Sequence, residues 1–256
     1  MRVLKTVLII LGVVLLAGLI GGVIAYYLLN NRNFARPEAV AALESDNTVI
    51  VTTPEGTDWQ VFAPVGSQPE TGFIIYPGGF VDPLAYAPIA RAIAEAGFLV
   101  ILDPMPLNLA VLDYGAADGI IAAFPDVDNW AIGGHSLGGA MASQYIAGNP
   151  EAISGLALWA SYPAEGTDLS QLPLEVVSIY GDADGVADID TITGAAERLP
   201  RDTIFVMIPG GNHTQFGFYG EGLQRGDNVA GISREEQQMI VIDNTVQMLE
   251  LINQGN

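Results

Sequence analysis

The chain has 256 residues, no cysteine, a single lysine, and 29 acidic against 9 basic side chains, for a formal net charge of −20. Without cysteine there are no disulfides, no thiolate metal sites and no cysteine nucleophile. A surface this acidic repels phosphate backbones, which excludes nucleic-acid binding as a function.

The first element is apolar. Val7 to Leu29 is 23 residues without a charge, long enough at 1.5 Å per residue to span a hydrocarbon core of about 30 Å. Arg2 and Lys5 precede it, which keeps the N-terminus on the cytoplasmic side and places the remainder of the chain outside. Arg32 and Arg36 on the far side pull against that orientation. A secretory signal cleaved after Val23-Ile24-Ala25 is the rival reading; it would give a secreted protein, but the run continues through Leu29. The expectation is a membrane anchor over residues 1–30, a juxtamembrane linker or short helix over 31–47, and one domain over 48–256. That last stretch, about 200 residues, suits a single core.

Val49-Ile50-Val51 and Trp59-Gln60-Val61-Phe62, separated by Pro54-Glu55-Gly56, predict an antiparallel hairpin. Apolar strands then alternate with helical segments. Phe73–Tyr76 is a strand and Pro83–Ala96 a helix, with Pro near its start and Gly97 beyond its end. Phe98–Leu102 is a strand, Leu109–Phe124 a helix, Asn129–Gly133 a strand and Leu137–Ala147 a helix. Strands at Ile153–Trp159, Leu174–Tyr180 and Thr203–Ile208 come next. A helix at Ile189–Leu199 lies between the last two, and one at Arg234–Ile252 closes the chain. This alternation, with nearly continuous apolar strands, predicts an α/β fold: a mostly parallel sheet covered by helices on both faces.

Gly134-His135-Ser136-Leu137-Gly138 joins one of these strands to the next helix. G-x-S-x-G at such a junction is the signature of a nucleophile elbow, where a tight turn exposes the serine hydroxyl above the sheet. A serine hydroxyl needs a base within hydrogen-bond reach. The chain has two histidines, and His135 should point away from its neighbour at so tight a turn. His213, in the loop Pro209-Gly210-Gly211-Asn212-His213 after another strand, is left as the base. Its orienting acid should come from Gly181-Asp182-Ala183-Asp184-Gly185, at a third strand end on the same rim. Asp184 is the first choice, Asp182 the second and Asp188 the third. Asp182-Ala183-Asp184-Gly185 lacks the spacing of a calcium loop, and the two histidines lack that of a zinc site.

From Val49 onward the chain resembles the α/β-hydrolases, in particular compact bacterial forms similar to dienelactone hydrolases. The resemblance rests on Gly134–Gly138, Gly181–Asp184, Gly211-Asn212-His213 and their order. It implies a Ser136–Asp184–His213 triad, with the acid three residues after the glycine that ends its strand. It also implies an oxyanion hole built from the Leu137 amide and a second amide in Tyr76-Pro77-Gly78-Gly79-Phe80, Phe80 before Gly79. Dienelactone hydrolases carry cysteine at the elbow; serine stands here, so their substrate is not implied.

The expected activity is hydrolysis of carboxylic esters or related acyl bonds of small molecules, with no cofactor and no metal. A serine peptidase or acyltransferase on the same triad, and a non-catalytic binding domain that keeps the fold, are the alternatives. Phe216–Gly220 and Met105–Leu107 are candidate pocket walls.

Overall fold

The computed structural model describes Leu15, residues 18–22 and residues 33–255. The charge-free run Val7–Leu29 and the division at residue 30 lie largely outside the described residues, among which no helix is long and apolar enough to cross a membrane. The stretch expected as a linker is docked on the domain. Asn33–Arg36 forms backbone bonds to it, and Pro37–Ala41 is a short helix, α1.

The initial hairpin is present, β1 (Val49–Thr52) pairing antiparallel with β2 (Gln60–Pro64). Six more strands complete the sheet: β3 (Thr71–Tyr76), β4 (Leu99–Leu102), β5 (Asn129–His135), β6 (Gly155–Trp159), β7 (Glu175–Gly181) and β8 (Ile204–Ile208). The order across it is β1-β2-β4-β3-β5-β6-β7-β8. β2 runs antiparallel to β4, and every pairing from β4 to β8 is parallel. Successive residues of β3 face opposite cores, as the two-residue period of a strand requires. Phe73 and Ile75 pack with Ile89 and Ile93 of α2 (Ala87–Glu95) and with Val241 and Met248 of the last helix. Ile74 and Tyr76 pack with Ile120 of α3 (Ala117–Ala123) and Tyr145 of α4 (Leu137–Gly148). Beyond these come α5 (Ile189–Gly194) and α6 (Arg234–Gln254); α6 opens on a capping box between Ser233 and Glu236.

Three predicted helices are shorter than expected, Pro83–Ala96 being a 3₁₀ turn up to Tyr86 and α-helix only over Ala87–Glu95. Over Leu109–Phe124 regular helix begins only at Ala117. Leu107 and Asn108 take φ of 56° and 55°, and the chain passes through two 3₁₀ turns, Pro106–Asn108 and Ala110–Leu112, before Gly115. Ala110 is buried there while Leu107, Val111 and Leu112 are exposed, so the apolar run is not the buried face of one helix. Ile189–Leu199 is α-helical to Gly194 and ends in a 3₁₀ turn.

From β3 the chain crosses to β4 on one side and then to β5 on the other, so the strand order reverses at β3 and β5. Ligands of open parallel sheets bind at such a point, beyond the carboxyl ends of the strands. Here the glycines around Ser136 have a steric purpose. A Cβ on Gly134 or Gly138 would collide with the Tyr76 carbonyl oxygen, and one on Gly138 also with that of Pro77. Gly138→Ala is expected to lower stability by about 1–3 kcal/mol, since the extra carbon meets backbone of Tyr76 and Pro77 rather than a flexible side chain. Urea unfolding would read this as a drop in midpoint at unchanged slope.

Asp103, just past β4, is only 5% exposed and its Oδ2 has no hydrogen-bond partner among the described residues. Burial, reinforced by Asp113 and weakly opposed by Trp59, pushes its pKa up to about 6. Below pH 4 the group is protonated whether the chain is folded or not. Between about 4 and 6 the folded state holds the proton more tightly, so stability falls as pH rises through that window, by about 2–3 kcal/mol. Asp103→Asn is therefore expected to raise the melting temperature at pH 7.5 by ~5–10 °C and to change it little at pH 4. An equal gain at both pH values would contradict the assignment.

Candidate active site

Ser136 sits between β5 and α4 at φ 52°, ψ −119°. A non-glycine residue at positive φ is strained and persists only where its surroundings hold it. Its amide donates to the Trp159 carbonyl at 2.9 Å, and its own carbonyl accepts from Ser161 Oγ at 2.6 Å. The described residues hold five non-glycine positive φ values, at Phe80, Leu107, Asn108, Ser136 and Ala160. All lie in the loops beyond β3, β4, β5 and β6. Backbone strain is thus concentrated on one rim of the sheet.

His213 and Asp184 come to the same rim from the loops after β8 and β7. His213 Nδ1 and Asp184 Oδ2 are 2.8 Å apart, with the two side chains 1% and 0% exposed. Asp184 Oδ1 accepts from the amides of Val186 and Ala187, each at 2.7 Å. With both oxygens engaged the carboxylate cannot rotate, and it holds the His213 proton on Nδ1. Nε2 then carries the lone pair a base requires. Nε2 is buried and makes no hydrogen bond among the described residues. Ser136 and His213 share the wall of one cavity of about 300 Å³, though Ser136 Oγ does not bond to Nε2 in this structure. Catalytic contacts of this kind tighten once substrate is bound.

The other aspartates act elsewhere. Asp182 Oδ1 accepts from Gly210 N at 2.6 Å and so braces the histidine loop from outside. Asp188 caps α5, accepting from Thr191 N at 3.1 Å.

His135 points beneath the rim, as expected, and is fully buried. Gly78 N donates to Tyr86 Oη at 3.0 Å, and Tyr86 Oη lies 2.9 Å from His135 Nδ1. Gly78 N, Tyr86 Oη and His135 Nδ1 thus form one buried chain of hydrogen bonds beneath the rim. Burial, and then the neighbouring His213, hold the His135 pKa well below the ordinary histidine value, so it stays neutral. Its ring is stacked on Phe216 and lies 4.4 Å from that of His213, centroid to centroid.

One expected oxyanion donor is displaced. The Phe80 amide donates to the Asn108 carbonyl at 2.7 Å, so it is already engaged and cannot also serve an oxyanion. Gly79, the second choice, lies against Leu137, whose side chain a Cβ on Gly79 would meet at 3.4 Å. The Leu137 amide stands in the first turn of α4, where backbone donors have no partner within the helix.

The cavity walls also differ from expectation. They are Leu137, Ala140, Ala160, Ser161, Tyr162, Ala164, Val186 and Ala187. Phe216 and Tyr219 are instead buried in the core under the histidine loop, Met105 is buried on the opposite face of the sheet, and Leu107 is exposed.

Sequence reasoning missed the groups that hold the histidine loop. Asp227 accepts from His213 N at 3.2 Å, from Thr214 N at 2.7 Å and from Gly185 N at 3.1 Å, tying the base loop to the acid loop. Gln237 is fully buried; it accepts from Asn212 N at 3.0 Å and donates to the Asn212 carbonyl at 2.8 Å. A signal for Gln237 did exist: it shares the i, i+4, i+8 spacing of Val241 and Thr245 on the buried face of α6, where a polar residue needs a partner.

Solved structures share this arrangement of strands and helices. A predicted CIB-like hydrolase from Thermoplasma acidophilum superposes with a TM-score of 0.56 at 15% identity, covering 78% of this chain and 98% of that one. A dienelactone hydrolase from Anabaena variabilis gives 0.56 at 16% identity, over 80% and 97%. The esterase domain of a Rhodothermus marinus protein gives 0.56 at 13% identity, over 78% and 96%. At such identities the likeness is one of fold. No curated protein sequence matches the chain. The sequence profile of the alpha/beta hydrolase family does match, over residues 72–239, from β3 into α6. With the elbow, the rim and the sheet order in place, the chain belongs to the alpha/beta hydrolase family and is a hydrolase.

Proposed function

We propose that this hydrolase cleaves carboxylic esters or related acyl bonds of small molecules through a Ser136–His213–Asp184 triad and an acyl-enzyme. The observation that carries the reading is the buried 2.8 Å contact of His213 with Asp184, set beside a strained serine on the same cavity. His213 Nε2 takes the Ser136 proton as Oγ attacks the carbonyl carbon. Imidazolium forms next to the Asp184 carboxylate, and the oxyanion is held by the Leu137 amide with Gly79 as the second donor. His213 returns the proton to the leaving alcohol. It then takes one from water, which attacks the acyl-enzyme and frees the acid and Ser136.

We further propose that Val7–Leu29 spans a membrane and that the domain lies outside it, with Arg2 and Lys5 holding the N-terminus inside against the opposing pull of Arg32 and Arg36. The test of the chemistry is labelling with a fluorophosphonate, which reacts with activated serines. The native protein should be labelled and Ser136→Ala should not. A folded native protein that resists the probe, or labelling that survives in Ser136→Ala, would refute the reading.

A further inference from the structure

We propose that the catalytic rim rests on the surface of the bilayer and takes uncharged esters from it. This rests on the serine-hydrolase reading and on Val7–Leu29 as a membrane span.

Three observations meet here. The first is where the chain enters the domain. The Asn33 carbonyl accepts from Asp82 N at 3.0 Å, just beyond the Gly78–Phe80 loop, and Ala35 N donates to Asp82 Oδ2 at 3.2 Å. On the other side, Arg36 N donates to the Phe218 carbonyl at 2.8 Å and Gly220 N to the Phe34 carbonyl at 3.0 Å, shortly after His213. The segment is thus pinned between the loop expected to hold the oxyanion and the loop that carries the base.

The second is the shortness of the tether. Only Asn30, Asn31 and Arg32 separate the charge-free run from Asn33. Even fully extended, the four steps from Leu29 to Asn33 reach no more than ~14 Å. A domain held so closely at its catalytic rim cannot turn that rim far from the membrane.

The third is what the rim exposes. Phe34, Leu107, Val111, Leu112, Tyr114 and Leu223 are each between 41% and 55% exposed. They stand on the pinned segment, on the loop after β4 and on the loop after His213. Large apolar side chains left exposed on the segments that leave this rim, in a chain with net charge −20, mark an interaction surface. The tether length selects the bilayer as its occupant.

The same charge names the substrate. Among the described residues the walls of the cavity beside Ser136 carry no lysine or arginine, so none of them would neutralise an anionic acyl group. Alanine, valine and leucine side chains suit an uncharged acyl chain.

The test uses the full-length protein in neutral phosphatidylcholine nanodiscs, with a long-chain acylglycerol dissolved in the disc and a short-chain soluble ester as separate substrates. Inserting about twenty Gly/Ser residues between Asn31 and Arg32 lengthens the tether to ~27 Å and dilutes the rim at the surface. The expected result is a roughly five- to tenfold slower hydrolysis of the dissolved acylglycerol, with soluble-ester turnover unchanged. Leu112→Ser should move the two rates in the same selective way. Unchanged acylglycerol rates in both variants, or a soluble ester with a charged acyl group cleaved as fast as its neutral counterpart, would overturn the proposal. So would release of the native protein from discs by alkaline carbonate, which would remove the anchor. Loss of soluble-ester turnover and of fluorophosphonate labelling in the native protein would instead strike the hydrolase reading beneath it.

Discussion

Ser136→Ala and His213→Ala are each expected to lower kcat on a soluble ester by ~10⁴–10⁶-fold, and the double variant to be no slower than the worse of the two. The two groups act as one unit: without the base the hydroxyl stays protonated, and without the hydroxyl the base has nothing to activate. Removing the second partner therefore costs almost nothing further. The residual rate should still exceed hydrolysis in water, because the Leu137 amide and the apolar cavity remain in place. Circular dichroism and urea unfolding separate this from misfolding. His213 is anchored through its backbone by Asp227, and the neighbouring Asn212 by Gln237, so loss of the imidazole leaves the loop tied at both points. Additive losses, with the double variant slower by the product of the two, would mean that Ser136 and His213 do not act in one step.

How much of this was legible in the chain depends on the range of the interaction concerned. The elbow was legible because its constraint is local: Gly134 and Gly138 flank Ser136 within five residues, and what they avoid is the adjacent strand's Tyr76 carbonyl. The strands were legible for the same reason, their apolar runs being continuous. Asp184 could be preferred to Asp182 but not separated from it, because two carboxylates two residues apart differ only in which amides they meet. One meets Val186 and Ala187 on the inside, the other Gly210 on the outside. The engagement of Phe80 was invisible. It depends on Asn108, 28 positions away, turning its carbonyl inward from a left-handed backbone that no glycine announces. Asp227 was hidden in Gly226-Asp227-Asn228, which reads as an ordinary turn. It turns out to be the carboxylate on which the loops of His213 and Asp184 converge.

Asp184→Asn is expected to lower kcat by ~10⁴-fold, and to be at least as damaging as Asp184→Ala. The reason lies in the oxygen that does not face the histidine. Oδ1 accepts two backbone amides, from Val186 and Ala187. An asparagine must keep its carbonyl oxygen there, because an NH₂ group would oppose two donors. Its NH₂ then faces His213 Nδ1, which can only accept, so the histidine proton moves to Nε2 and the lone pair is removed from the serine side. Asp184→Ala imposes no such tautomer. It leaves the Val186 and Ala187 amides unpaired and costs stability of about 1–3 kcal/mol for each, yet it allows His213 to present Nε2 as acceptor for part of the time. The two variants therefore rank in opposite orders by stability and by rate: asparagine more stable and slower, alanine less stable and no slower. Urea midpoints beside kcat would show this crossing. An Asp184→Asn enzyme within tenfold of native would remove Asp184 from the triad and return the role to another acid.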